Sequence, residues 1–364
     1  MRVDAYVCSM TQLTDPLTLR SGATLKNRFV LSPLTNLQSH PDGVLSDDEY
    51  RWLTMRAIGG FGLTMTCAAS VQESGVGFPG QLGVHDDKHL PGLTRLAAKI
   101  NEEGSHSVVQ LQHSGLRSLN APKAPSADEK LKAEAMTLDE VQQSRDCFIS
   151  AAQRAERAGF QGVELHGAHG YLICSFLSSE LNRRDDAYGG DPERRARFLF
   201  EIIDGVRAAT KPGFSLGVRL SPERWGIQTL EIRDVAQRIM DERKIDYIDM
   251  SLWDVKKEPQ DEALKGRTLA SYFSELKRGD TLLGAAGKIM SAQDCRDLLD
   301  AGYDFPILGR AAILHHDFPK KVAADPNFQS IATPVSEQYL RDEGLGPTFI
   351  KYMRTWAGFV EEPA

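Results

Sequence analysis

Short apolar and β-branched runs recur along the chain at 29–34, 62–68, 107–113, 162–166, 215–220, 246–252, 282–287 and 305–309, eight in all. Between and after them, apolar positions repeat at the three-to-four-residue spacing of an amphipathic helix, over 47–58, 89–102, 138–158, 192–209, 230–242, 268–278, 291–301 and 311–322. Pro192 stands where a first helical turn tolerates proline, and Gly104, Gly159 and Gly302 follow helix ends. A strand followed by a helix, eight times over, predicts a (β/α)8 TIM barrel of the α/β class. An open doubly wound sheet is the alternative; the count favours the barrel.

Ahead of the first strand, Leu17-Thr-Leu-Arg-Ser-Gly-Ala-Thr-Leu25 alternates about Ser21-Gly22, which predicts an N-terminal β-hairpin within 1–26 that caps the barrel's bottom. The connections after the second, third and sixth strands exceed the ~2–6 residues usual for a βα loop. These long βα loops include 114–137, rich in Ala, Pro, Ser and Lys, which reads as a lid or rim. No composition break divides the chain, so 1–364 is expected to be a single domain with 326–364 as a C-terminal extension. The segment 349–359 is aromatic and basic, as suits a helix packed on its own barrel.

Period-two alternation assigns a face to each polar strand residue. Val109 and Leu111 oppose Gln110 and Gln112; Val163 and Leu165 oppose Glu164 and His166; Leu216, Val218 and Leu220 oppose Ser215, Gly217 and Arg219. The apolar face must meet the helices, so Gln110, His166 and Arg219 point inward near the strands' C-terminal ends, where barrel enzymes hold their sites. One such residue alone is more often part of a satisfied internal network. Three on one inner face favour a polar ligand.

The chain has 364 residues, 43 basic and 50 acidic, for a net charge of −7, with the two signs interspersed. That balance offers no basic face for nucleic acid. No stretch approaches the ~20 consecutive apolar residues of a membrane span, and MRVDAYVCSMTQL lacks the layout of a signal peptide, so a cytoplasmic protein is expected. Cys8, Cys67, Cys147, Cys174 and Cys295 show no metal-binding or paired spacing and read as reduced, buried thiols.

His166-Gly-Ala-His169 follows a strand and straddles a glycine, with no nearby Cys or third His to complete a zinc set, which argues against a metal site. With Tyr171 the two imidazoles form a donor group suited to a carbonyl oxygen or oxyanion. Ala285-Ala-Gly-Lys-Ile289 and Ile307-Leu-Gly-Arg-Ala311 each put a glycine at a strand end and a cation after it, at the two strands where barrels often bind phosphate.

The most specific stretch is Gly162-Val-Glu-Leu-His-Gly-Ala-His-Gly-Tyr-Leu172, followed by Phe176-Leu, Asn182-Arg-Arg-Asp-Asp-Ala-Tyr-Gly-Gly190 and Glu193-Arg-Arg-Ala-Arg-Phe198. Leu25-Lys-Asn-Arg-Phe-Val-Leu-Ser-Pro-Leu-Thr35, Arg56-Ala-Ile-Gly-Gly-Phe-Gly62, Val109-Gln-Leu111 with His113 and Gly115, and Val218-Arg-Leu-Ser-Pro222 fall in the same order as in the old yellow enzyme family of FMN-dependent ene-reductases. The chain resembles that family over about residues 17–325.

The resemblance implies tightly but non-covalently bound FMN at the barrel's C-terminal mouth. Pro33, Thr35, Ala68 and Gln110 match positions that hold the isoalloxazine, Arg219 the cation beside its N1/C2 region, and Gly287, Lys288, Gly309 and Arg310 the phosphate site. His166 and His169 match the pair that binds the substrate carbonyl, and Tyr171 the proton donor. The implied reaction is ping-pong reduction, by NAD(P)H, of the C=C bond of an α,β-unsaturated carbonyl or nitro compound. A flavin-dependent dehydrogenase or dienoyl-thioester reductase is the alternative enzyme, and a non-catalytic flavin-binding redox sensor the alternative class. Leu37 stands where one branch has Tyr, and Arg117 follows Leu116 where many relatives place Arg directly after the glycine. The branch, the alkene, NADH against NADPH and homo-oligomer formation are left open.

Overall fold

The structure, a computed structural model, describes residues 11–362; Cys8 lies outside them. Strands β1 (Leu17–Thr18) and β2 (Thr24–Leu25) form the expected antiparallel hairpin. Eight parallel strands follow: β3 (Val30–Leu31), β4 (Leu63–Ser70), β5 (His106–Gln112), β8 (Gly162–Gly167), β9 (Ser215–Leu220), β10 (Tyr247–Ser251), β11 (Leu282–Ala286) and β12 (Phe305–Leu308). They close in chain order into one barrel, β12 pairing back onto β3. A small parallel pair, β6 (Lys123–Ala124) and β7 (Glu134–Ala135), stiffens the long connection after β5.

Only Val30 and Leu31 of the expected 29–34 run join the barrel ladder as a strand. Pro33 has no N–H to donate, so the chain leaves the sheet there and turns its next residues over the mouth.

The helices α1 (Asp47–Ile58), α2 (Leu90–Glu102), α3 (Leu138–Arg157), α4 (Leu172–Leu177), α5 (Pro192–Ala209), α6 (Thr229–Asp241), α7 (Ser271–Ser274), α8 (Ala292–Asp300), α9 (Arg310–Leu314), α10 (Phe318–Ala324), α11 (Glu337–Asp342) and α12 (Pro347–Met353) complete the element order. Their starts are chemically marked. Thr137 and Glu140 make a reciprocal capping box on α3, and Asp191 caps α5 ahead of Pro192.

Two expectations fail locally. The 268–278 stretch keeps only α7, because the N–H groups of Ser271, Tyr272, Phe273 and Leu276 donate three residues back, to Thr268, Leu269, Ala270 and Phe273, in tight turns rather than along a continuing α-helix. The 311–322 stretch breaks into α9 and α10 around 315–317, where His315 turns to extended backbone and Pro319 sits in the first turn of the second helix.

The barrel's lower interior is apolar. Leu17, Leu19 and Leu25 of the hairpin segment plug it against Val30, Met65, Val108, Tyr247, Phe305 and Ile307. Large rings fit because the neighbouring strands carry glycine in register with them: a Cβ on Gly217 would lie 2.2 Å from the Tyr247 ring, and one on Gly284 2.1 Å from that of Phe305. Higher up, the inward residues become polar, and that change of layer creates the site.

The C-terminal extension packs on its own barrel. Phe349 of α12 meets Trp52 of α1 edge-on, with ring centroids 4.9 Å apart, and Phe349, Ile350 and Met353 are buried.

Candidate active site

Every residue given a catalytic or cofactor-binding role from the sequence lines one cavity of about 280 Å³ at the C-terminal mouth of the barrel. Pro33 and Thr35 come from the segment leaving β3, Ala68 from β4, Gln110 from β5 and Arg219 from β9. His166 ends β8, with His169 and Tyr171 on the turn into α4. Gly287 and Lys288 follow β11, and Gly309 and Arg310 follow β12.

The turn after β8 is built to hold both imidazoles. His169 and Gly170 take successive left-handed conformations, φ 61° and 72°. The His169 N–H donates to Ser221 Oγ at 2.9 Å, and a Cβ on Gly170 would lie 2.7 Å from Trp225. His166 Nδ1 accepts from the Ala168 N–H at 3.3 Å, which leaves Nε2 as its donor. His166 Nε2 and His169 Nδ1 are 3.2 Å apart, and the Tyr171 ring stands edge-on to His166 with centroids 5.0 Å apart.

Burial holds both imidazoles well below their ordinary pKa; the neighbouring cations Arg219 and Arg117 push the same way, and His169 adds to the shift of His166. They are neutral N–H donors at neutral pH. Burial raises the Tyr171 phenol, with Arg117 opposing, so it keeps its proton. The Arg117 guanidinium lies 5.5 Å from the Tyr171 ring centroid and 5.9 Å from that of Trp225.

One layer beneath, Gln110 Nε2 donates to Glu164 Oε1 at 2.8 Å, and Arg219 Nε lies 3.1 Å from Asp249 Oδ2. Glu164 and Asp249 are wholly buried. Burial, reinforced by the Asp249 charge, raises Glu164, while Arg219 and the Gln110 hydrogen bond oppose it; burial also raises Asp249, which Arg219 opposes.

The cavity suits a flat ring system with one polar edge and an anionic tail. Pro33 and Ala68 offer apolar surface, while Gln110 and Arg219 bring an amide and a guanidinium to the wall. A Cβ added at Gly309 would meet nothing nearer than Leu34 Cδ2 at 3.6 Å, so backbone there is open to a close ligand. Arg310 stacks over Trp356, 5.4 Å from its centroid. Lys288 differs: its ammonium pairs with Asp254 at 2.9 Å and is 59% exposed, which leaves Arg310 the better placed cation for a phosphate.

Sequence reading missed part of the wall. Ser251 and Trp253 at the end of β10, and Tyr352, Met353 and Trp356 of the C-terminal segment, also line the cavity. The aromatic run at 349–359 was the available signal for the latter; a lone serine after a strand offered none.

A (β/α)8 barrel with these donors at its mouth, and with open backbone and a cation after its last strand, could hold a flavin by its ring and its phosphate. The model of the NADH:flavin oxidoreductase / NADH oxidase family matches residues 12–328, and the chain belongs to that family, the old yellow enzymes. As a member it is an NAD(P)H-dependent flavin oxidoreductase with FMN as cofactor.

The chain is 34% identical over 325 residues to a probable NADH-dependent flavin oxidoreductase of Bacillus subtilis, covering 85% of this chain and 87% of the relative. It is 33% identical over 337 residues to an NADPH dehydrogenase of Bacillus licheniformis, covering 90% and 98%. Among solved structures, the old yellow enzyme homologue of Zymomonas mobilis superposes with a TM-score of 0.77 at 25% identity, covering 91% of this chain and 96% of that one. No helix among the described residues is long and apolar enough to cross a membrane.

Proposed function

We propose that the protein is an ene-reductase, reducing the C=C bond of α,β-unsaturated carbonyl or nitro compounds with NAD(P)H by a ping-pong mechanism in the cytoplasm. The observation that carries this reading is the pair of neutral imidazoles with facing nitrogens 3.2 Å apart, beside a phenol that keeps its proton. FMN, when bound, would supply the two-electron chemistry that couples NAD(P)H oxidation to reduction of the alkene.

The chain's own residues do the rest. His166 and His169 donate to the carbonyl or nitro oxygen and stabilise the negative charge that grows there. Tyr171 gives its proton to the α-carbon, so one hydride and one proton saturate the bond. Asp249 and Glu164 hold Arg219 and Gln110 in place from below. Pro33 and Ala68 would pack against the flavin ring, the Thr35 hydroxyl would hydrogen-bond it, and Gly287, Gly309, Arg310 and the Lys288 backbone would hold the phosphate. An alkene without an electron-withdrawing group is not a substrate, because it offers no oxygen on which charge can collect.

Anaerobic turnover with cyclohexenone, a maleimide and a nitroalkene tests this. Coupled NAD(P)H oxidation with parallel double-reciprocal lines is expected. Flavin that is reduced but passes hydride to none of the three would overturn the reading in favour of a binding or sensing protein. The phosphate assignment is tested separately. Arg310→Ala should lose FMN on dilution, with a retention constant weakened by about 1.5–3 kcal/mol for one charge-assisted bond, followed by flavin fluorescence. Full retention would move the phosphate elsewhere.

A further inference from the structure

Ser251 closes β10 at the cavity wall, 6% exposed, and the reaction above gives it no role. Its Oγ lies 2.7 Å from His169 Nε2 and accepts from Arg219 Nη2 at 3.4 Å. On the opposite edge of the same ring, His169 Nδ1 faces His166 Nε2. Since the His169 backbone is pinned by Ser221, the ring presents one nitrogen to Ser251 and the other to its fellow imidazole.

A neutral imidazole has one N–H and one lone pair, and its partners decide which nitrogen holds the proton. The Ala168 N–H settles His166, leaving Nε2 the donor. For His169 to donate to the same substrate oxygen, its proton must sit on Nδ1, and the lone pair on Nε2 then faces Ser251. A guanidinium only donates, so Arg219 takes up a lone pair of the serine oxygen and leaves its O–H free to turn to Nε2.

We propose that Ser251 is a positioning residue that donates its hydroxyl to His169 Nε2 and so holds His169 as the Nδ1–H tautomer whenever an oxyanion lies between the two imidazoles. The proposal rests on the reading of His166 and His169 as oxyanion donors. Without such a ligand the same groups satisfy the opposite polarity: His166 Nε2–H donates to His169 Nδ1, and His169 Nε2–H to the serine oxygen. A hydroxyl accepts either direction, which an alanine, a lysine or a carboxylate there could not. Ligand binding therefore takes one proton off Nε2 and puts one on Nδ1 by exchange with water, and the net charge is unchanged. Charging the ring to obtain both N–H groups is disfavoured by burial and by Arg219 and Arg117.

The test uses FMN-loaded protein labelled with nitrogen-15 histidine and saturated with a phenol, read by long-range proton–nitrogen spectra. In the wild type His169 should be the Nδ1–H tautomer when the phenolate is bound. In Ser251→Ala the phenolate dissociation constant should rise roughly tenfold and the bound tautomer shift towards Nε2–H. Ser251→Thr, which keeps the hydroxyl, should restore both. An Nε2–H tautomer in the bound wild type, or unchanged affinity in Ser251→Ala, would overturn the proposal, and the first of these needs no variant. Failure of the underlying reading is distinguishable, because it shows as full phenolate binding when both histidines are replaced.

Discussion

Tyr171→Phe is expected to slow alkene reduction roughly 10²–10⁴-fold while leaving flavin reduction by NAD(P)H nearly unchanged, the loss that removing a positioned general acid brings. The separation follows from when the proton is needed. Accepting a hydride from NAD(P)H requires no proton from the phenol; saturating the alkene does, at the α-carbon. Burial keeps the Tyr171 hydroxyl protonated well above neutral pH, so the acid is present throughout the working range.

Nitroalkenes should suffer least, since a nitronate is stable enough to leave unprotonated. If Tyr171 instead served to orient the imidazoles, with its ring 5.0 Å from His166, both half-reactions and every substrate would fall together. Stopped-flow measurement of each half-reaction decides between these. An undiminished enone rate in the Phe variant would assign the proton to water or to another side chain.

Replacing both histidines by alanine should abolish the long-wavelength band that a phenolate gives when stacked on oxidised flavin. Each lost donor to a charged oxygen costs about 1.5–3 kcal/mol, so the pair should weaken phenolate binding by a factor on the order of 10²–10⁴. The pH dependence supplies an internal check. Both imidazole pKa values are lowered, chiefly by burial, so the rings stay neutral down to well below the ordinary histidine range of about 6.5. Affinity for a phenol already ionised should thus be flat from about pH 6 to 8. A rise on acidification through that window would mean that an imidazolium does the binding. Titration of the double variant and of the wild type against one phenol measures both effects.

The eight strands, the hairpin and the inward direction of Gln110, His166 and Arg219 were legible because each rests on a local period. Alternation along a strand assigns a face without reference to any other part of the chain. The phenol and both imidazoles were legible for the same reason: His166 lies at the end of one strand, and His169 and Tyr171 on the turn directly after it. The glycine–cation pairs at two strand ends were legible and reach the cavity, although Lys288 pairs with Asp254, a partner in the β10–β11 connection that no local pattern indicates.

What the chain determines by itself is therefore the set of elements and the chemistry carried within each one, since hydrophobic period, caps and turns act over a few residues. Closure of the barrel decided the rest. It brings Ser251 to within 2.7 Å of a histidine 82 residues earlier, sets Asp249 beside Arg219 and Glu164 beneath Gln110, and seats Tyr352 and Trp356 at the cavity. These contacts depend on strand register and on which rings fit over Gly217 and Gly284, and the buried charges they place together acquire their protonation only there. Such energies belong to pairs of residues far apart in the chain, and they exist only once packing has excluded water from between them.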